Sequence, residues 1–575
     1  MAAAEHYTAE DAQDVEEEDF IHNFRQPGDE DDMSDRQSSS SDDGMDDEDI
    51  AGPRLRQRVA DTFEWKNRAY EYAWLGEYTE NAGPRLHDVD SSIFDIFHHF
   101  IDDDMLQLMV RETNKYARKL ILNAGNVDNS NLKGWRDTDV NEVRAFIALI
   151  LGLGMVRHGR YESHWSTHWL LDHPGFRSIM SRNRFFLLLR CIHLVDDDDA
   201  LPREDPNYDK AFKIRFFMNH VVNNFQTAFY PSRNVSVDES VIAFKGRVGF
   251  KTYHPKKPHK RGMTAWTLAD SKTGYVFNSK LHTGNNQANG HATQVTVMNL
   301  CLPITGKKHH VYMDNYFSSP DLFTQLADEG LGACGTLRTN RRGTPDAIKN
   351  ANPAVGDSVF ERDGKLLFVA WTDKRKVSVL STVHNSMTFD RQVREGHGPN
   401  HRVINKPCAI ELYTQYMGGV DQADRLIWTY LHIHKSAEWW KKVFIYLLEV
   451  SFVNALIIYR CFRPDERVRS DKLRLELIDS LLANYARPST RAGRRSQAPP
   501  RRLTERHFVS INDAKTPAGR QTTPDCVVCS KRGVKRHQTP YMCKECNQPM
   551  CPAPCFERFH TLVDYKAECT KEYHK

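Results

Sequence analysis

Three short stretches hold carboxylates where chemistry could be done: "SVDES" with Asp238, "VYMDNYFSS" with Asp314, and "GGVDQADR" with Asp421 and Asp424. The first two alternate as strands do. Asp314 stands at a strand exit, just before a helix that Ser318 or Ser319 can cap, with Pro320 in its first turn. Asp421 and Asp424 are three apart at the start of a helix and share a face. Carboxylates from separate elements repel one another unless a hard divalent ion joins them. Mg²⁺ or Mn²⁺ takes such oxygen ligands and leaves positions for water and phosphate. Two such ions would stabilise the attacking and leaving oxygens of a phosphodiester. The same spacing also fits ordinary ion pairs of Asp238 with Lys245 or Arg247, and Glu239 and Asp270 are further acids on the same sheet that could be the ligands instead.

A second constellation lies in "CVVCSKRGVKRHQTPYMCKECNQPMCPAPCFERFH". Two C-x-x-C knuckles present paired thiolates, each pair filling two corners of a tetrahedron, which is a zinc pattern. Seven ligands stand out: Cys526, Cys529, Cys543, Cys546, Cys551, Cys555 and His560. Two zinc ions need eight ligands, so an interleaved cross-brace is expected, with His537, Cys569 or His574 open as the eighth. Seven of the twelve cysteines fall in the last fifty residues. That clustering in a large chain points to metal rather than to a disulfide scaffold.

The elements that must position these groups follow from periodicity. From about Ser91 to Tyr230 apolar residues recur at three-and-four spacing, with Asp139 placed to cap one helix. Trp165 and Trp169 in "HWSTHWLL" read as core. After "YPSRN" the period changes to two: "VSVDESVIAF", then "MTAWTLADSKTGYVFNSKLHTG" as two strands about a turn, then "HHVYMDNYFSS", a helix, and "ACGTLR". Together these predict an α+β sheet. Residues from Thr339 to Pro407 carry turns and strand-like pieces and read as an insertion. A helical pattern resumes near Tyr413, and its apolar run Val443–Tyr459, broken by Glu449, Ser451 and Asn454, reads as a buried helix.

The net charge of +2 conceals an asymmetry. Residues 1–50 carry 19 acidic residues and 2 arginines, a net of −17, which leaves +19 on the rest. An acidic, Ser-rich tail too poor in apolar residues to fold alone, on a basic body, suits a nucleic-acid binder whose tail competes with its ligand. "RPSTRAGRRSQAPPRRLTER", residues 487–506, reads as a basic linker and fits a nuclear import signal. No charged-then-apolar leader opens the sequence, so no secretory signal is expected. In "FKGRVGFKTYHPKKPHKRG" the basic residues Lys245, Arg247, Lys256, Lys257, Lys260 and Arg261 flank the Asp238 strand, and holding a phosphate backbone is their expected work.

Four blocks, "SVDESVIAFKGR", "YMDNYFSS", "CGTLRTNRRGTP" and "YMGGVDQADR", together resemble the core of piggyBac-type DNA transposases and their domesticated vertebrate relatives. The resemblance runs from about Phe94 to Tyr459 and resumes at the cysteine-rich end. It implies an RNase H-like catalytic domain whose three essential aspartates match Asp238, Asp314 and Asp421 as Mg²⁺ ligands, with Asp424 supporting them. Trp439 or Trp440 matches a tryptophan near the transposon end, and Arg338, Arg341 and Arg342 are taken as DNA contacts. It further implies hydrolytic nicking, hairpin formation and resolution, joining of 3′-hydroxyls at TTAA sites, a homodimer, and a terminal zinc domain on transposon-end DNA. The expected organisation is multidomain. It comprises an acidic tail (1–85), a helical dimerisation and DNA-binding region (86–230), the RNase H-like domain (231–338 and 409–465) split by an insertion (339–408), a helical segment with the basic linker (466–520), and the zinc domain (521–575). The expected function is a nuclear cut-and-paste transposase. The rival is a domesticated DNA- or chromatin-binding protein that no longer cuts.

Overall fold

The computed structural model describes residues 75–123, 132–255, 257, 259–284, 292–373, 375–394, 401–432, 438–485, 503, 506–517, 519–530 and 536–566. Residues 1–74 of the acidic tail, nearly all of the basic linker, Lys256, Cys569 and His574 lie outside these.

The chain divides into two compact units, one of Met1–Glu112, Ile150–Met155 and His193–Leu477, the other of Thr113–Leu149, Val156–Ile192 and Ile478–Lys575. In chain order the longer helices of this part are α1 (Ile93–Phe100), α2 (Asp103–Asn123), α3 (Val140–Met155), α4 (Arg182–Cys191) and α5 (Phe212–Ala228). Ser92 caps α1 in a reciprocal box with Asp95, and the Asp139 side chain accepts the Glu142 amide at the start of α3 (2.9 Å). Within the second unit Glu142 is buried between Arg184, whose Nε donates to it at 2.9 Å, and Thr138. Trp165 is core, but Trp169 is 83% exposed. The two tryptophans lie on either side of the turn that ends a short helical piece at Trp165, which takes Trp169 away from the core face.

The first unit is organised by a nine-stranded sheet. Its strands are β1 (Asn234–Ala243), β2 (Lys251–Tyr253), β3 (Arg261–Asp270), β4 (Val276–Leu281), β5 (His310–Met313), β6 (Gly332–Thr336), β7 (Ser358–Asp363), β8 (Leu366–Thr372) and β9 (Lys376–Ser381). The order is β2-β3-β1-β5-β6-β9-β8-β7, with β4 also on β3. Strands β3 and β1 are antiparallel, whereas β1 to β5 and β5 to β6 are parallel. Helix α6 (Ala292–Cys301) precedes β5, and α7 (Pro320–Asp328) crosses from β5 to β6. Ser319, not Ser318, caps α7, accepting the Leu322 amide (3.3 Å) with Pro320 following. The expected insertion is continuous with this sheet, since β9 pairs antiparallel with β6 through Val379↔Thr336. The physical reason is that β6 would otherwise be an unpaired edge.

Helices α8 (Cys408–Tyr416), α9 (Gly419–Tyr430), α10 (Trp439–Phe462) and α11 (Ser470–Leu482) follow. Helix α10 is long and apolar enough to cross a membrane, but it is enclosed by protein and packs on α1, α5 and α9. Its polar interruptions are matched. Asn454 accepts the Val276 amide (3.0 Å) and donates to the Val276 carbonyl (2.9 Å), which ties the helix to β4. Glu449 takes a two-pronged ion pair from Arg474 at 2.6 and 2.7 Å.

Candidate functional site

The aspartates are brought together by the parallel pairing at the middle of the sheet. Val237 on β1 pairs with Met313 on β5, so Asp238 and Asp314 are the next residues along neighbouring parallel strands. Beyond Met313 the strand stops. The Asp314 side chain accepts the Tyr316 amide (2.8 Å), and its carbonyl accepts from Ser318 Oγ (2.8 Å), so the acid turns the chain as well as ending the strand. Helix α9 docks by its first turn on β1: the Val420 amide donates to Ser236 Oγ (3.2 Å). Just upstream, Ser271 Oγ donates to the Tyr416 carbonyl (2.6 Å). This seats Asp421 and Asp424 beside Asp238.

Electrostatics show how near the acids are. Burial pushes the Asp238 carboxyl well above the ordinary carboxylate range, and Glu239 adds to this. Burial also raises Asp314, with the Asp238 charge adding to it and the Tyr316 amide opposing. Asp424 is raised to about 7, chiefly by burial, and the Asp421 and Asp238 charges add to it. One Asp424 oxygen is buried without a hydrogen-bond partner. An unpartnered buried carboxylate oxygen beside three further acids is a donor set that a hard divalent cation fits. Lys257 supplies the nearest positive charge, with Nζ 3.7 Å from Asp238 and 3.5 Å from Asp421. Burial alone would lower its pKa, but the surrounding carboxylates outweigh this and hold it above the ordinary value.

The alternatives left open by the sequence separate here. Asp238 pairs with Lys257, and Lys245 and Arg247 are exposed. Asp270 is spent on the β3–β4 turn, accepting from the Ser232 amide (2.8 Å), the Thr273 amide (2.9 Å) and Thr273 Oγ1 (2.7 Å). Glu239 lies 3.8 Å from His254 but stays beside Asp238, whose carboxyl it pushes up.

The other basic candidates fall into two groups. Lys245, Arg247 and Lys260 are exposed on the segment between β1 and β3, and Arg261 is exposed at the start of β3. Arg338 Nε donates to Asn315 (3.3 Å), and Arg341 donates to the Asn315 and Tyr316 carbonyls (3.3 and 2.7 Å). These two arginines therefore hold the turn that carries Asp314. Arg342 is exposed. Trp439 is half-buried, edge-on to Phe250 at 5.1 Å, whereas Trp440 is core against His193.

The cysteine-rich end forms two four-ligand groups, Cys526, Cys529, Cys551 and Cys555 in one and His507, Cys543, Cys546 and His560 in the other. Within each group the ligand atoms lie within 4.8 Å of one another. Cys529 and Cys551 sulfurs are 3.9 Å apart, close to the edge of about 3.8 Å of a tetrahedron with metal–sulfur bonds of about 2.3 Å. His507 Nδ1 lies 3.5 Å from both Cys543 and Cys546, and His560 Nε2 3.5 Å from Cys546. The other His560 nitrogen faces the Phe556 carbonyl (2.7 Å), which fixes the ring for ligation. The groups alternate along the chain, as a cross-brace does.

The eighth member of these groups is His507, which the sequence reading passed over. His537 belongs to neither group. His507 precedes Cys526 by nineteen residues, outside the expected zinc domain and in the segment assigned to the linker. The available signal was the lone histidine where the arginine-rich run gives way to "HFVSI", a strand at Val509–Ile511 that pairs with Tyr541–Cys543 and so carries His507 to Cys543.

Comparison with known proteins agrees with this architecture. A family model described as "Transposase IS4" matches residues 94–456, and one described as "DDE_Tnp_1-like zinc finger" matches 505–561. PiggyBac transposable element-derived protein 5 of Homo sapiens is 22% identical over 417 residues, 67% of this chain and 76% of that protein. PiggyBac transposable element-derived protein 3 of Homo sapiens is 24% identical over 483 residues, 81% and 76% of the two chains. The cryo-EM structure of a piggyBac transposase synaptic complex with hairpin DNA superposes with a TM-score of 0.61 at 24% identity, covering 82% of this chain and 99% of that one. The fold is that of the piggyBac transposase, and the chain belongs to the "Transposase IS4" family as a piggyBac-type transposase-domain protein with a terminal zinc finger.

Proposed function

We propose that this protein is a nuclear, homodimeric cut-and-paste DNA transposase that excises and integrates DNA at TTAA sites. The observation that carries the reading is the meeting of four aspartates from three elements, two leaving neighbouring parallel strands and two on a helix docked against one of those strands. The order β4-β3-β1-β5-β6, antiparallel then parallel, supports an RNase H-like catalytic domain.

Asp238, Asp314 and Asp421, with Asp424 behind them, would hold Mg²⁺ or Mn²⁺. The bound ions supply charge stabilisation to the attacking and leaving oxygens as water or a 3′-hydroxyl displaces at phosphorus. The chain's own residues do the rest. Arg338 and Arg341 fix the Asp314 turn. Ser236 sets the depth of α9. The exposed cations between β1 and β3 hold the phosphate backbone in register. The zinc module adds a second DNA-binding surface for the transposon end.

The rival, a DNA- or chromatin-binding protein that no longer cuts, has one observation in its favour: Lys257 stands within ion-pair distance of both Asp238 and Asp421. A cell excision assay separates the two, with a reporter interrupted at TTAA by candidate cognate ends. Scarless repair with the wild type and none with Asp314→Asn supports the transposase. No excision, with DNA binding retained, supports the rival.

A further inference from the structure

Lys257 does more than sit in a basic stretch. Its loop is pinned on both sides of it. His254 Nε2 lies 3.0 Å from Thr252 Oγ1 on β2 and 2.9 Å from Thr264 Oγ1 on β3. The His254 amide donates to the Lys260 carbonyl (2.7 Å), closing the loop, and the Lys257 amide donates back to His254 (3.2 Å). His259 packs on Trp428, with ring centroids 4.3 Å apart, and Trp428 lies on the same helix as Asp421. An ammonium is thereby held over the carboxylates by contacts to the sheet on one side and to α9 on the other. Its distances of 3.7 and 3.5 Å are ion-pair distances, longer than committed hydrogen bonds. Its side chain is 23% exposed, so it has a way out toward solvent.

We propose that Lys257 is an internal counter-cation that competes with the divalent metal for Asp238 and Asp421 and is drawn off by a DNA phosphate. This rests on the transposase reading for its substrate and deepens it. Without DNA the ammonium offsets part of the charge of Asp238 and Asp421 and opposes a second cation among the acids. An arriving phosphodiester brings a negative charge shared over two exposed oxygens, the ammonium moves to it, and the carboxylates are released to the metal. DNA binding and metal binding are then coupled, and the coupling is reciprocal. The consequence is a site that loads metal efficiently only on DNA.

The test measures Mn²⁺ binding to the zinc-loaded full chain by electron paramagnetic resonance, without and with a short DNA duplex. Mn²⁺ is the weaker competitor for the thiolate sites and leaves zinc in place. For the wild type, DNA should tighten Mn²⁺ binding about tenfold, and Lys257→Gln should gain about the same factor without DNA and little more with it. Lys257→Arg should restore wild-type behaviour. Should Lys257→Gln fail to fold, His259→Ala loosens the loop without touching an acid and should shift DNA-free affinity in the same direction. Equal Mn²⁺ affinity in wild type and Lys257→Gln, or no effect of DNA on the wild type, overturns the proposal. Failure of the parent reading looks different: the Mn²⁺ pattern holds while the wild type cuts no candidate end. Cutting by the wild type with Mn²⁺ affinity indifferent to Lys257 overturns the counter-cation alone.

Discussion

Gly418 and Gly419 in "YMGGVDQADR" are adjacent and should respond oppositely to alanine. A Cβ on Gly419 would lie 2.6 Å from Ser236 Oγ, 2.9 Å from the Asp270 carbonyl oxygen and 3.0 Å from Ser271 Cα. Ordinary contact begins near 3.4 Å, so the first of these is short by about 0.8 Å. Two of the three obstacles are backbone atoms of the sheet and its turn, which cannot swing aside. The helix must lift, and it also loses the Val420–Ser236 hydrogen bond, worth about 1 kcal/mol. Overpacking of this kind costs about 1–3 kcal/mol, against about 1 kcal/mol gained from alanine's helix propensity, so net destabilisation is expected to be about 1–3 kcal/mol. Function should suffer more. Moving Asp421 and Asp424 by most of an ångström from Asp238 is expected to lower DNA cleavage by about 100-fold. A Cβ on Gly418 meets nothing within 4 Å. As the residue preceding the helix, Gly418→Ala should change stability by less than about 1 kcal/mol and cleavage by less than about threefold. Thermal unfolding and cleavage of end DNA by the two purified variants check both numbers. If Gly419→Ala is more stable than the wild type and equally active, helix α9 is not held tightly on β1, and the account of how the acids converge is wrong.

Other expectations follow from single features. Glu449→Gln or Arg474→Met breaks a buried ion pair and leaves the partner uncompensated, which should cost about 3–5 kcal/mol in denaturant unfolding, while the double variant should recover much of that loss. His309, His310 and His384 are buried, and burial holds their pKa values down at about 4, about 3 and about 4, with the Arg233 cation pushing His310 and His384 further down. Their neutral forms belong to the folded state and the unfolded chain takes up the protons first, so stability is full above pH about 6.5 and lost as pH falls toward about 4, by roughly 3 kcal/mol per histidine. Denaturation midpoints across that range should fall with pH, and a flat profile would contradict the burial argument. His507→Ala should lower tightly bound zinc, measured by elemental analysis, from two to one per chain, whereas His537→Ala should leave it at two.

What the sequence disclosed depended on how local the signal was. Asp314 at a strand exit with Ser319 and Pro320 behind it is a local pattern, and the structure repeats it residue by residue. The paired cysteines carried their own spacing. His507 did not, because its approach to Cys543 is made by a short antiparallel strand pair across a gap no periodicity spans. Lys257 was visible as one cation among several in "HPKKPHKRG". That it faces Asp238 and Asp421 depends on where His254 and His259 pin the loop. The strands of residues 366–381 were legible as strands, but their place in the main sheet was not, because pairing to β6 is set by an edge that exists only once the sheet has formed. Asp270 looked as eligible as Asp238 by spacing, and only its hydrogen bonds to Ser232 and Thr273 show it to be a turn residue.

The central claim is that the converging aspartates cut DNA. The most direct measurement is cleavage of a labelled duplex bearing a candidate end next to TTAA, by the purified full chain in Mg²⁺, beside Asp238→Asn, Asp314→Asn and Asp421→Asn. The account predicts nicking at the TTAA boundary by the wild type, and a loss of at least about 1,000-fold in each variant with DNA binding retained. Variants that cut like the wild type, or a wild type that binds the ends and never nicks them, would contradict it.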